Sequence, residues 1–194
     1  MLSVLQTNEI ATMSTYSVTI ITLYELVNAI FNKNFGNLFT KSILVKYLAA
    51  IVGWSFYIIV ARRILSNVSI NVPEVMSDAF DDVIKYGTVF IIALSVYKGM
   101  NSEKLFSGSW SKQLILLLVG YLIFGLVSQK LFTNIEKKTK HKLTDITKHI
   151  FVFTFVNLMM NKSQFVSMGN HKEIVGLLSG LLLYHFQIDK IINK

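Results

Sequence analysis

The chain contains no cysteine. That one absence removes disulfides, thiolate metal sites and cysteine nucleophiles together, and it fits a reducing compartment. Charge is scarce as well. Asp, Glu, Lys and Arg make up 15% of the 194 residues, against about 25% in an average soluble domain. Acidic residues are the rarer sign, 11 against 19 basic, for a formal charge of +8. No Lys or Arg occurs before Tyr16, so the positive region that opens a secretory signal peptide is missing and the first apolar stretch reads as a retained span. His141, His149, His171 and His185 show no His-x-x-His or Glu-x-x-His spacing, so no metal site is expected. There is no phosphate-binding loop, no Gly-x-Ser-x-Gly and no Thr-Val-Gly-Tyr-Gly filter. Without a paired acid and base, no catalytic residue, no cofactor and no enzymatic activity are expected.

What the chain has is apolar length. It is 53% hydrophobic, with a mean hydropathy of +0.52, and the apolar residues fall in long runs. A membrane-crossing helix needs about 20 mostly apolar residues. Six stretches approach this: 16–31, 43–61, 83–97, 114–127, 149–160 and 174–188. The third and fifth reach full length only if Lys85 and Lys148 snorkel from the first turn. Residues 1–15 read as a polar tail or surface turn. Asn71 or Ser77 is a candidate cap for the third helix. The expected fold is all-α: one polytopic membrane domain over 1–194, with six crossings. Four crossings plus shorter buried or re-entrant helices are the alternative.

An internal repeat organises the runs. The second helix of each pair carries a glycine, an aromatic four residues on and a basic residue ten on: Gly53, Tyr57, Arg63; Gly120, Phe124, Lys130; Gly180, Tyr184, Lys190. Pairs two and three open alike, with Asp82-Val-Ile-Lys85 and Asp145-Ile-Thr-Lys148. This spacing predicts three helical hairpins, about 16–65, 82–132 and 145–192, related by an axis along the membrane normal. Mitochondrial carriers also have three two-helix units, but each unit carries a Pro-x-acid-x-x-base signature. A chain whose one proline is Pro73 excludes that family.

With six crossings the termini and the loops at 62–82 and 130–148 share one side. That side holds 11 of the 19 basic residues, a small positive-inside bias. The linkers on the other side pair lysine with large apolar groups: Lys33, Phe35 and Lys41; Lys104, Phe106, Trp110 and Lys112; Phe165 and Lys172. Such segments lie among lipid headgroups, anionic ones above all, or dock a partner protein. The basic 130–148 run reads as a solvated or lipid-facing loop rather than a nucleic-acid site. Gly176 and Gly180 form a Gly-x-x-x-Gly pair, and with Gly53 and Gly120 they are expected at close helix contacts, within the bundle or in a homo-oligomer. Glu25 is the one acid inside an apolar run. It is either an intramembrane functional group, with His185 on a proton path, or it is satisfied within the bundle by hydrogen bonds or a lysine. His185 reads otherwise as a packed histidine near the interface.

The stretch from Asp82 through Lys85, Tyr86, Gly87, Thr88 and Phe90, with Trp110 and then Gly120-Tyr121, resembles small multi-span proteins encoded by large DNA viruses of algae and amoebae. The likeness covers about 45 residues. In those relatives the pattern is closer to Asp-x-x-Lys-Phe-Gly-Thr-Met; Tyr86 and Val89 depart from it here, and His149-Ile150-Phe151 departs further in the third unit. The resemblance implies a structural virion component of the inner membrane, of minor capsid type, that ties the bilayer to other structural or capsid proteins. The rival expectation is a small channel or transporter using the bundle interior around Glu25. Acidic or polar groups converging on a wet path would favour that rival.

Overall fold

A computed structural model describes residues 3–67, 74–101, 108–128, 136–160 and 168–192. Among the described residues there are six long helices and no strand. Helix α1 is Val4–Asn32. Helix α2 is Lys41–Leu65, with a π-helical turn at Tyr57–Ala61. Helix α3 is Glu74–Met100, α4 is Gly108–Ser128 and α5 is Lys137–Met160. Helix α6 covers 168–192, with a second π turn at Tyr184–Ile188.

Two of these helices, α1 and α5, begin twelve residues before their apolar stretches, and local chemistry explains both. Residues 4–15 are helical rather than a tail. Ser3 Oγ accepts from the Gln6 amide while the Gln6 side chain accepts from the Ser3 amide, a closed capping box. Thr7, Thr12, Thr15, Thr19 and Thr22 each donate their hydroxyl to the carbonyl four residues back. Their polarity is thus spent inside α1, which can then lie against apolar surroundings. The charged segment expected as a loop over 130–148 is helical from Lys137, because its Asp and Lys side chains find partners in the bundle interior. Helix α3 starts at Glu74, so Ser77 lies within it; Asn71 falls outside the described residues.

The helices pack in chain order and close into a ring: α1 on α2, α2 on α3, and so on to α6, which returns to α1. Neighbours run antiparallel. Along α1 and α2, Glu9 meets Arg62, Ser17 meets Trp54 and Glu25 meets Lys46. Backbones come closest at glycines. A Cβ on Gly53 would stand 2.8 Å from the Val89 carbonyl oxygen, and one on Gly180 would stand 2.8 Å from Ile20 Cα. A Cβ on Gly176 would stand 3.0 Å from Tyr24 Cα, and Gly120 faces Val152 and Phe155. A buried cluster of Tyr16, Ile146, Leu181 and Tyr184 fills the α1–α5–α6 side.

The outside of the ring is apolar. Leu44, Leu48, Val52 and Phe56 form an exposed stripe on α2; Ile115, Val119, Ile123 and Leu126 do so on α4; Val175, Leu178, Leu182 and Phe186 do so on α6. Soluble proteins rarely expose so much contiguous apolar surface. Three helices, α1, α2 and Ser111–Ser128 within α4, are long and apolar enough to cross a membrane. Helices α3 and α5 have the length, at 27 and 24 residues, but each concentrates charge in its first half.

Candidate functional site

The charged halves of α3 and α5 face the middle of the ring. Residues at i, i+3 and i+4 share one helix face, so Asp82, Lys85 and Tyr86 point together from α3, as do Asp145, Lys148 and His149 from α5. The two faces meet. Lys148 Nζ donates to Asp82 at 2.7 Å and lies 3.9 Å from Asp145 in its own turn. Asp145 Oδ2 accepts from the Tyr16 hydroxyl at 3.0 Å and stands 2.8 Å from His185 Nε2. His149 Nδ1 lies 2.8 Å from the Asp145 carbonyl; a carbonyl only accepts, so Nδ1 carries the proton.

Aromatic rings complete this layer, and every helix contributes to it. Tyr86 stacks on Tyr121 at 4.8 Å and meets His149 edge-on at 5.0 Å. Tyr16 packs edge-on against Tyr184, His149 and His185. Trp54 packs against Tyr86, and its indole N–H donates to Ser17 Oγ at 2.7 Å. The Lys85 ammonium lies over the Trp54 and Tyr86 rings, 5.5 and 5.3 Å from their centroids. Behind this layer Lys142 bonds the His185 carbonyl and Asp189, locking α5 to α6.

A cavity of about 960 Å³ opens between α2, α3, α4 and α5. Asp82, Lys85, Asp145 and Lys148 line its inner end; Arg62, Asp78, Asp81 and Lys140 line its mouth. It runs along α3 from Ser77 to Lys85, about 12 Å at 1.5 Å per residue. None of Tyr16, Trp54, Tyr86, Tyr121 or His149 lines it, so the cavity ends at the charged residues, short of the aromatic layer. The arrangement is a one-sided cleft floored by half-buried charge.

Glu25 and His185 stand apart. Glu25 pairs with Lys46 and borders a separate cavity of about 430 Å³ with Asn28, Asn32, Asn34 and Glu173. His185 is 7% exposed and bound to Asp145. Its neighbour Tyr16 is nine residues from Glu25, about 13 Å along α1. Gly53, Gly120, Gly176 and Gly180 are all buried at helix contacts. Lys33 takes a left-handed conformation (φ 51°) that caps α1. Phe35, Lys41 and Lys112 are exposed at the same end of the ring. Lys172 folds back onto Asn32 and the Phe31 ring. Trp110 lies in the first turn of α4; Lys104, Phe106 and Phe165 fall outside the described residues.

Hydropathy and spacing do not single out Asp145, His149, Lys85 or Tyr16 as functional groups. The repeated Asp-x-x-Lys is the available signal; in sequence it marks kinship between hairpins, and in the fold it is two charged faces that meet. Among the described residues no group of three His, Asp or Glu is arranged to hold a metal ion. By fold and site this is an all-helical protein with an apolar exterior and an ionic, aromatic interior. No family model, curated protein or solved structure matches the chain.

Proposed function

We propose that the protein crosses a membrane six times, as three hairpins around a pseudo-threefold axis, and passes a small charged solute through the ring interior. The six crossings draw support from α5 and α6, whose charges turn inward or sit near their ends while Leu158, Met159, Leu178 and Leu182 face out. The triplication draws support from the glycines. Gly53 packs on the next hairpin at Val89, Gly120 on the next at Val152, and Gly180 on the first at Ile20. Both π turns begin four residues after a repeat glycine, at Tyr57 and Tyr184; π turns are frequent at functional sites.

One observation carries the solute-handling role: a one-sided cavity ends on Asp82, Lys85, Asp145 and Lys148 inside a ring whose outer surface is apolar. Buried ionisable groups are costly in a membrane bundle, and in general they mark substrate or ion pathways. The relevant acid in this reading is Asp145 rather than Glu25. The test is flux across liposomes of purified, reconstituted protein, for protons, potassium, chloride and phosphate. Flux above protein-free liposomes that is lost in Asp145→Asn and kept in Glu25→Gln is the expected result. Wild-type protein indistinguishable from empty liposomes for all four ions would end the proposal.

A second reading, a virion membrane protein that docks a coat, is favoured by the exposed Lys33, Phe35, Lys41 and Lys112 at one end of the ring. Charge reversal of Lys104, Lys112 and Lys172 should then lower assembly without affecting membrane insertion. Unchanged assembly would remove the docking role.

A further inference from the structure

Lys85 is the odd group in the cavity floor. The two carboxylates that act on it most strongly are committed elsewhere. Asp82 is taken by Lys148 at 2.7 Å, and Asp145 by Tyr16 and His185. Among the described residues no carboxylate stands within ion-pair distance of the Lys85 ammonium, whose contacts are the Trp54 and Tyr86 rings. The carboxylates of Asp145 and Asp82 act on it only from beyond ion-pair distance, and a cation–π contact replaces only part of its lost hydration, so the half-buried ammonium is under-compensated. Thr144 lines the same cavity, and its hydroxyl has no hydrogen bond among the described residues.

We propose that Lys85 is the binding point for an oxyanion, the phosphate or carboxylate group of a small solute or the phosphate of a lipid headgroup. This rests on the solute-handling reading and names its substrate class. The sign of the ligand follows from what each choice would disturb. A cation at the floor would have to displace Lys148 from Asp82 and then sit beside Lys85. An anion gives Lys85 a counter-charge in direct contact, can accept from Thr144, and leaves the Asp82–Lys148 and Asp145–His185 pairs intact. The mouth carboxylates Asp78 and Asp81 are exposed and solvated, and the high dielectric of water weakens their repulsion of an anion at the floor. At about 960 Å³ the cavity exceeds a bare phosphate, which fits an anionic group carried on a larger solute.

Trp54 reports on the site directly, since its ring underlies the Lys85 ammonium. The chain has two tryptophans, Trp54 and Trp110, so Trp110→Phe leaves a single reporter. In maltoside micelles and phosphate-free buffer, inorganic phosphate and acetate are titrated against this protein while Trp54 emission is followed. A saturable change that weakens at least tenfold in Lys85→Met, and survives in Lys85→Arg and Lys41→Met, is expected. A parallel arm uses nanodiscs of phosphatidylcholine with or without phosphatidic acid. If the lipid phosphate is the occupant, phosphatidic acid shifts Trp54 and abolishes the response to free phosphate, again through Lys85. No saturable change in either arm, or the same change in Lys85→Met, overturns the assignment. Should Lys85→Met fail to fold, wild-type thermal stability decides. Phosphate must raise the melting temperature above chloride at equal ionic strength, and equal temperatures overturn the assignment. Binding does not depend on flux. Phosphate binding without transport leaves the site and removes the permeation role; proton or potassium flux without anion binding does the reverse.

Discussion

Replacing Asp145 by Asn should destabilise the protein far more than replacing Glu25 by Gln, although both changes remove one charge and almost no volume. At Asp145 the two carboxylate oxygens have different duties. Oδ2 takes the Tyr16 hydroxyl and His185 Nε2, at 3.0 and 2.8 Å. Oδ1 faces Lys148 Nζ at 3.9 Å and His149 Nδ1 at 3.7 Å. An asparagine removes the negative charge that faces Lys148, and an NH₂ turned toward Tyr16 and His185 meets two groups that donated to the carboxylate. Neither orientation restores the charge. Removing one member of a buried ionic cluster costs about 3–5 kcal/mol. Glu25 is nearly as buried, its side chain 17% exposed against 14% for Asp145, but it makes one ion pair, with a Lys46 side chain that is 36% exposed. Its removal leaves behind a lysine that can turn to the surface, so the pair is worth about 0–1 kcal/mol. The gap between the variants should thus be about 2 kcal/mol or more. Denaturant titration in mixed micelles, followed by helical circular dichroism, measures it. A Glu25→Gln cost equal to or above that of Asp145→Asn would refute the view that Asp145 is the anchor of the interior.

Two further expectations use the same assay. Gly180→Ala should cost about 1–3 kcal/mol, since the new methyl meets Ile20 Cα at 2.8 Å and α6 must move off α1. Gly99→Ala, with open space around it, should be neutral or stabilising by up to about 1 kcal/mol; equal effects at both sites would contradict the close α1–α6 packing. Leu181→Ala, at a side chain with 0% exposure, should cost about 2–5 kcal/mol. Its neighbour Leu182, 41% exposed, should tolerate alanine within about 0.5 kcal/mol, and the reverse ranking would mean that α6 is rotated.

Much of the helical framework was legible because apolar runs and lysine-bearing linkers are local signals. The all-α fold and the glycine contacts follow from them. The extra length of α1 and α5 was not legible from hydropathy. Threonines that bond their own helix look polar in a sequence yet behave as apolar in place, and Asp145 or Lys148 looks like loop chemistry until its partner is known. That partner is 40 to 129 residues away: His185 and Tyr16 for Asp145, and Asp82 for Lys148. Glu25 drew notice because its run was uniformly apolar. Asp145 did not, because four lysines precede it closely. An ionisable group is conspicuous in sequence when its neighbours along the chain are apolar, whereas its role depends on its neighbours across the ring.

The proposed triplication also accounts for why the cavity lies on one side. Four residues before Tyr86 and His149 stand Asp82 and Asp145, and one residue before them stand Lys85 and Lys148. The same offsets from Tyr16 give Thr12 and Thr15, whose hydroxyls bond back into α1. Two hairpins thus bring a charged pair to the axis and one brings neutral groups. Charges need room, water or partners, so the α2–α5 side stays open. The neutral hairpin needs none of these, so its side can close. The repeat aromatics follow suit: Tyr57 and Phe124 line the cavity, while Tyr184 packs into the core against Tyr16. Restoring the missing charges with Thr12→Asp and Thr15→Lys should therefore loosen the Tyr16–Tyr184 core and admit water there. Faster hydrogen exchange in α6 around Tyr184, with α3 unchanged, is the expected sign. Unaltered exchange would mean that the cleft owes its position to something other than this broken repeat.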